Sequence, residues 1–482
     1  MKKILFATSE AVPFIKTGGL ADVTGTLPQY FDREKYDVRI ILPKYLCMDE
    51  GLKGQLHFKC HFYVNLSWRK QYAGIFEAKW KGITYYFVDN EFYFAGDMPY
   101  HELYQDIEKF AFFSKAVIDA LPYLDFCPDV IHCHDWQTGL IPVFLKTLYG
   151  DQSYYAGIRT VYSIHNLKFQ GRWNLPSVMD ITGLPSQIFT SDKLESFGEA
   201  NYLKGGVVYA DAITTVSEQY AYEITTVAGG EGLDGLLYSR RNDLYGIING
   251  INDKLYDPKT DTYIYERFNK KNVKSGKSRN KACLQKEFGL PETKDCFLIG
   301  MVSRMTDQKG FDLVAYIMDE LLSTEKVQIV VLGTGEERYV NMLRHFENKY
   351  PKQIKANIGY SEELAHRIYA SCDGFLMPSL FEPCGLSQMM AMRYGTIPIV
   401  RETGGLKDTV EAYNEYEHTG TGFSFANYNA HEMLGTIRYA ISIFKDHKKE
   451  WNDMMLRAMS QDFSWEKSAE KYEALYEKLT EM

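Results

Sequence analysis

The stretch Gly374-Phe375-Leu376-Met377-Pro378-Ser379-Leu380-Phe381-Glu382-Pro383-Cys384-Gly385-Leu386-Ser387-Gln388 decides how this chain is read. Its short apolar opening, closed by Pro378, has the form of a buried strand, and the Met389-Met390-Ala391-Met392 run beyond it has the form of a helix. Glu382 therefore lies in a turn that joins strand to helix. In open α/β sheets, ligands bind outside the carboxyl ends of the strands, where helix N-termini offer N–H groups to anions. A carboxylate in that place is either repelled by a bound phosphate or serves another part of the ligand. The competing reading is a Pro-Gly turn with an incidental surface acid.

The surrounding chain repeats the same strand-to-helix pattern. Runs rich in Ile, Val, Tyr and Phe occur at Ile4–Thr8, Val38–Leu42, Ile83–Val88, Val130–His134, Thr160–Ile164, Ile213–Ser217 and Tyr245–Asn249. A second series follows at Phe297–Ser303, Gln328–Gly333, Ile354–Gly359, Phe375–Ser379 and Ile397–Arg401. Alternation of such runs with segments of helical period predicts α/β architecture with two Rossmann-like, doubly wound domains, spanning 1–249 and 250–460. From Asn269 to Lys281 the chain is strongly basic, and the early part of that run reads as a solvated loop. The last segment, 461–482, carries an N-cap at Ser464. Its apolar stripe, Trp465, Ala469, Tyr472, Leu475, Tyr476 and Leu479, is that of an amphipathic helix.

Composition narrows the function. The 482 residues are 45% hydrophobic and 24% charged, with a net charge of -9, which disfavours nucleic acid and anionic membranes as partners. Eight scattered cysteines without a C-x-x-C pair suit a reducing compartment. The N-terminal apolar run is too short for a signal-peptide core, no run is long enough to span a bilayer, and a cytoplasmic protein is expected.

Two motifs echo each other. Thr17-Gly18-Gly19-Leu20-Ala21-Asp22 and Thr403-Gly404-Gly405-Leu406-Lys407-Asp408 each place paired glycines where a strand turns into a helix, which suggests two lips of one deep interdomain cleft where backbone approaches a ligand. Arg304 and Lys309, at the end of another strand, suit a diphosphate, and Lys16 adds a third cation. No D-x-D is present to hold a metal on a nucleotide diphosphate, so the cations would have to replace one. His132 and His134 share a strand face, but their apolar setting favours satisfied core histidines over a metal site. His165, opening a loop with Asn166, is the better functional candidate. Aromatics at Phe92-Tyr93-Phe94, Tyr100 and Tyr104 suit the faces of a sugar, though a helix-flanking core patch is the default reading.

Taken in order, these motifs resemble the bacterial glycogen synthase and plant starch synthase family of retaining GT-B glucosyltransferases. The likeness rests on Lys16-Thr17-Gly18-Gly19-Leu20-Ala21-Asp22, His134-Asp135-Trp136, His165-Asn166-Leu167, Leu203-Lys204-Gly205-Gly206, Gly232-Leu233-Asp234-Gly235, Asn249-Gly250-Ile251, Ser303-Arg304, Gln308-Lys309-Gly310, Glu382-Pro383-Cys384-Gly385-Leu386 and Thr403-Gly404-Gly405-Leu406. The resemblance implies glucosyl transfer from ADP-glucose to the non-reducing end of an α-1,4-glucan such as glycogen. No metal or other cofactor is implied, a homo-oligomer is allowed, and the final helix is expected to cross back to the first domain. It implies catalytic roles for Glu382 at the glucose, for Arg304, Lys309 and Lys16 at the diphosphate, for the backbone carbonyl of His165 at the anomeric carbon, and for Asp135 near the sugar. Donor-binding positions are Gly18, Gly19, Asp22, Asn166, Asn249, Lys281, Tyr360, Cys384, Gly385, Leu386 and Thr403. Glu10, Tyr100 and His101 are expected on the acceptor side. With the three cations assigned to phosphates, the Glu382 carboxylate is expected to be free to face the sugar. Gln105, Lys109 and Glu218 depart from the family pattern. A non-catalytic glucan-binding protein is the alternative from another class. A pyridoxal-phosphate phosphorylase fits less well because no motif marks a Schiff-base lysine, and a Rossmann oxidoreductase because Gly333-Thr334-Gly335 lacks the third glycine of the dinucleotide fingerprint.

Overall fold

A computed structural model describes residues 1–481. Contacts divide the chain into two units. The first comprises 1–216, 221–248 and the C-terminal helix from Trp465. The second comprises 217–220 and 249–464.

The first unit is built on a nine-stranded sheet. In chain order its strands are β1 (Lys2–Ala7), β2 (Tyr36–Pro43), β3 (His57–Leu66), β4 (Arg69–Trp80), β5 (Ile83–Asp89), β6 (Val130–His134) and β7 (Arg159–Ile164). A separate small sheet of β8 (Arg172–Asn174), β9 (Glu195–Ser196) and β10 (Glu199–Asn201) follows, then β11 (Ala212–Thr215) and β12 (Leu244–Gly246) complete the large sheet. The order β12-β11-β7-β6-β1-β2-β5-β4-β3 contains the doubly wound order, with its switch point between β1 and β6. Those central strands are covered on both faces, which is why they are continuous apolar runs: Ile4, Leu5, Phe6 and Ala7 are fully buried. β3 and β4 form an antiparallel hairpin added at the edge through β5. The sequence did not announce this hairpin, because Phe58, His61 and Tyr63 lie on its exposed positions and blur the apolar/polar alternation.

The final helix, Trp465–Glu481, belongs to the first unit, and its buried face carries the stripe expected from the sequence together with Ser468. Polar contacts fix its register. Lys2 Nζ donates to Thr480 Oγ1 at 2.6 Å, Ser468 Oγ donates to the Ile248 carbonyl at 2.6 Å, and the Tyr476 hydroxyl meets His132 Nδ1 at 2.7 Å.

The second unit holds a parallel sheet of β13 (Phe297–Val302), β14 (Val327–Gly333), β15 (Ile354–Ile358), β16 (Gly374–Met377), β17 (Ile397–Arg401) and β18 (Phe423–Phe425). Its order, β15-β14-β13-β16-β17-β18, places the switch point between β13 and β16. The early part of the basic run is the exposed loop expected, with Lys270 and Lys271 in solvent, whereas the later part is helical. A helix occupies Val273–Glu287, and its three- and four-residue spacings turn Val273, Lys277, Lys281 and Leu284 inward together. Lys277 Nζ donates to Thr396 Oγ1 at 2.6 Å, and burial pushes its amine down to about 8.

Candidate active site

In the second unit the loops leaving β13 and β16 meet at the switch point. Gly310, at φ +75°, lies so close to the end of β16 that a Cβ would meet the Pro378 carbonyl at 2.1 Å, so only glycine closes this turn. The Leu380 amide donates to the Gln308 carbonyl at 2.9 Å. These contacts bring Lys309 Nζ to 2.6 Å from Glu382 Oε2, which also accepts from Ser379 Oγ at 3.0 Å. Glu382 is buried, with 6% of its surface exposed. The Glu382 carboxylate is thus ion-paired with Lys309, one of the cations that the sequence reading assigned to a diphosphate. Arg304, in the same loop, is exposed and makes no ion pair among the described residues. Tyr360, just beyond β15, is 85% exposed.

The turn after Glu382 is held from behind. Gly385 takes φ +71°, and Gln388 Nε2 donates to the carbonyls of Cys384 and Gly385 and to Thr409 Oγ1 at 3.0 to 3.2 Å. The Gly405 amide donates to the carbonyls of Glu382 at 3.1 Å and Pro383 at 3.2 Å. A Cβ at Gly404 or Gly405 would lie 2.0 Å from the carbonyl of Glu382 or Cys384 respectively. The second glycine pair thus admits a neighbouring loop, beside a buried Thr403, whereas a Cβ on Gly18 or Gly19 would meet nothing within 4 Å. Asn249 contacts the Cys384 thiol, which burial pushes up to about 12. Ser217, not singled out in the sequence, donates to the Pro383 carbonyl at 2.6 Å.

In the first unit the loops after β1 and β6 flank the other switch point. Glu10, 3% exposed, accepts from the Thr17 amide at 2.5 Å, the Thr17 hydroxyl at 2.9 Å, the Gly18 amide at 3.2 Å and the Tyr100 hydroxyl at 3.0 Å. This carboxylate shapes the glycine loop, and Lys16, exposed beside it, pairs with Asp22 at 2.8 Å. Asp135 adopts φ +55°, a conformation uncommon for a non-glycine residue and frequent at functional sites. Its Oδ1 accepts from the His165 amide at 2.7 Å and the Asn166 amide at 3.5 Å, fixing the backbone that carries the His165 carbonyl. Burial pushes the Asp135 carboxyl up to about 7 against the opposing effect of those amides, and pushes the His165 imidazole down to about 4.

Lys281 is a correction to the sequence reading. Its amine donates to the carbonyls of Cys296 and Lys294 and to Asp373 Oδ2, at 2.5, 3.2 and 2.5 Å, next to the starts of β13 and β16. Those are the amino ends of the strands, opposite the edge that carries Arg304, Lys309 and Glu382. The Tyr100-His101 loop is anchored by Asp106, which accepts from the His101 amide at 3.0 Å and pairs with Lys109. Lys109 Nζ in turn reaches the Pro99 carbonyl at 2.7 Å.

Two Rossmann-like units, with a cation-carboxylate pair at the switch point of one and a glycine loop with a lysine at the other, define a GT-B glycosyltransferase. A family model described as the starch synthase catalytic domain matches residues 3–239, and one described as glycosyl transferases group 1 matches 284–452. The chain is 61% identical over 479 residues to a glycogen synthase of Lachnospira eligens, covering 99% of this chain and 100% of the relative. It is 48% identical over 477 residues to the glycogen synthase of Geobacillus stearothermophilus, with 99% and 98% covered. The catalytic domain of starch synthase IV from Arabidopsis thaliana, solved bound to ADP and acarbose, superposes with a TM-score of 0.89 at 31% identity, covering 100% of this chain and 99% of that one. The chain belongs to the bacterial glycogen synthase and starch synthase family.

Proposed function

We propose that this chain is a glycogen synthase that transfers glucose from ADP-glucose to the non-reducing 4-OH of an α-1,4-glucan with retention of configuration. The observation that carries the proposal is the Lys309–Glu382 pair at the switch point of the second unit, beside the exposed Arg304. Arg304 and Lys309 bind the diphosphate and stabilise the charge that grows on the leaving phosphate, with Lys16 as a further cation. When the diphosphate draws Lys309 away, Glu382 is left to face positive charge developing on the glucose. The His165 carbonyl serves the same charge, held in place by Asp135. Retention through a covalent glycosyl-enzyme needs a second carboxyl about 5 Å from the nucleophile. Glu382 is instead accompanied by a lysine and a serine hydroxyl, which favours front-face departure and attack with the leaving phosphate taking the acceptor proton.

The amides of Cys384, Gly385 and Leu386 are assigned to glucose hydroxyls and Tyr360 to the adenine. Gly18, Gly19, Asp22, Asn166, Asn249 and Thr403 complete the donor site, and Glu10, Tyr100 and His101 the acceptor side. The reaction as written draws on cationic side chains in place of a metal. Eight free cysteines fit a cytoplasmic location. Incubating the protein with ADP-glucose or UDP-glucose and glycogen tests the proposal: ADP release with chain elongation is expected. Glycogen binding without nucleotide release would instead support a non-catalytic glucan-binding role.

A further inference from the structure

The first unit contains a contact between histidine rings that this chemistry does not use. His134 ends β6 and is 1% exposed. Its Nδ1 lies 3.0 Å from His165 Nε2, while its own Nε2 is buried with no partner among the described residues. The ring is held in place by stacking on His132, 4.2 Å between centroids, and by Phe6 at 5.1 Å. His132 is itself fixed at both nitrogens, by the Tyr476 hydroxyl of the C-terminal helix and by Ser163 Oγ, each at 2.7 Å.

Elementary hydrogen-bond accounting assigns the protons. Burial pushes His134 well below its ordinary value, so the ring is neutral and carries a single N–H. A proton on Nε2 would leave a buried donor without an acceptor, which folded proteins avoid more strictly than an unfilled acceptor. The proton therefore sits on Nδ1 and points at His165. His165 Nε2 must accept it, and because His165 is also neutral, its own proton resides on Nδ1. That nitrogen makes no protein hydrogen bond among the described residues, yet it is not sealed from solvent.

We propose that His134 is a positioning residue that holds His165 in its Nδ1–H tautomer, so that His165 offers a hydrogen-bond donor to the substrate hydroxyl beside it. The substrate half of this statement rests on the glucosyltransferase reading above, whereas the tautomer half does not. The ring stack links the setting to the C-terminal helix through Tyr476 and His132.

Nitrogen-15 NMR of the full-length protein with labelled histidine, the His165 signals assigned by their loss in His165→Gln, tests the tautomer directly. A protonated Nδ1 and a bare Nε2 on His165 are expected; a protonated Nε2 overturns the proposal. His134→Asn keeps an N–H donor where Nδ1 stood, whereas His134→Gln carries its amide past that position. His134→Asn is expected to keep the tautomer and most of the turnover. His134→Gln is expected to lose about 10- to 100-fold in kcat with little change in KM for ADP-glucose, the scale of a lost orienting hydrogen bond. Equal turnover and equal His165 spectra in the two variants would refute a positioning role. A wild-type protein with the expected tautomer but no glucosyl transfer would instead refute the reading of the reaction and leave the tautomer assignment standing.

Discussion

Asp135→Asn isolates the electrostatic cost built into the first unit. The folded protein holds this carboxyl at about 7 against an ordinary 3.8, chiefly through burial. Between those values the folded state keeps a proton that the unfolded chain has released, so stability falls as pH rises, and the penalty is complete above about pH 7. A shift of that size corresponds to about 4 kcal/mol at most, of which about 2 kcal/mol develops between pH 5.5 and pH 8. The side chain keeps partial contact with solvent, so about 1–2 kcal/mol is the expected difference over this interval. Asparagine is isosteric, stays neutral, and can still accept from the His165 amide, at 2.7 Å in the wild type, through Oδ1. Urea unfolding at pH 5.5 and pH 8, followed through first-unit tryptophans such as Trp136, should show that the variant loses less stability than the wild type by that amount. Identical pH dependence in the two proteins would refute the claim that Asp135 is ionised at a cost. Its activity should fall all the same, because the carboxylate charge assigned to the sugar's surroundings is gone.

Three further outcomes follow from the geometry. Lys281→Met should destabilise the second unit by about 3 kcal/mol, since Asp373 is left without its cation, yet change KM for ADP-glucose less than twofold in the folded fraction; a large rise in KM would restore Lys281 to the nucleotide site. Gly405→Ala should lower the melting temperature by several degrees, because the added methyl meets the Cys384 carbonyl, whereas Gly19→Ala should leave it within about one degree; calorimetry on both compares a packed glycine with an open one. Lys309→Met should reduce kcat by about 10²- to 10³-fold, the scale of one lost charge-stabilising contact, in steady-state assays with glycogen as acceptor.

Much of this architecture is written in periodicity. Parallel strands buried on both faces must be continuous apolar runs, so Ile4–Ala7, Val130–Cys133 and Phe297–Met301 declare themselves, as does the apolar stripe from Trp465 to Leu479. The β3–β4 hairpin does not, because aromatics occupy exposed positions and an edge hairpin leaves no crossover helix to mark it. Lys281, expected at the nucleotide, misleads for a different reason: with Lys277 it is turned inward, where carbonyls, Thr396 and Asp373 receive both amines, and a basic run gives no sign of such partners. The positions of Glu382, Lys309, Arg304 and Asp135 at strand ends are visible as motifs. What pairs with what is not, since Glu382 meets Lys309 only after two loops separated by 73 residues converge, and the His134–His165 contact bridges 31 residues between neighbouring strands. The two glycine pairs look alike in sequence and differ in what approaches them, which only the loop beside Gly404 and Gly405 reveals.

The most direct test of the account is Glu382→Ala, assayed for glucosyl transfer from ADP-glucose to glycogen and, separately, for ADP binding by calorimetry. Removing the carboxylate takes away the group assigned to the glucose and frees Lys309 from its ion pair. Turnover should fall by orders of magnitude while ADP binds at least as tightly as to the wild type; near-normal turnover would contradict the assignment of Glu382 to the reacting sugar.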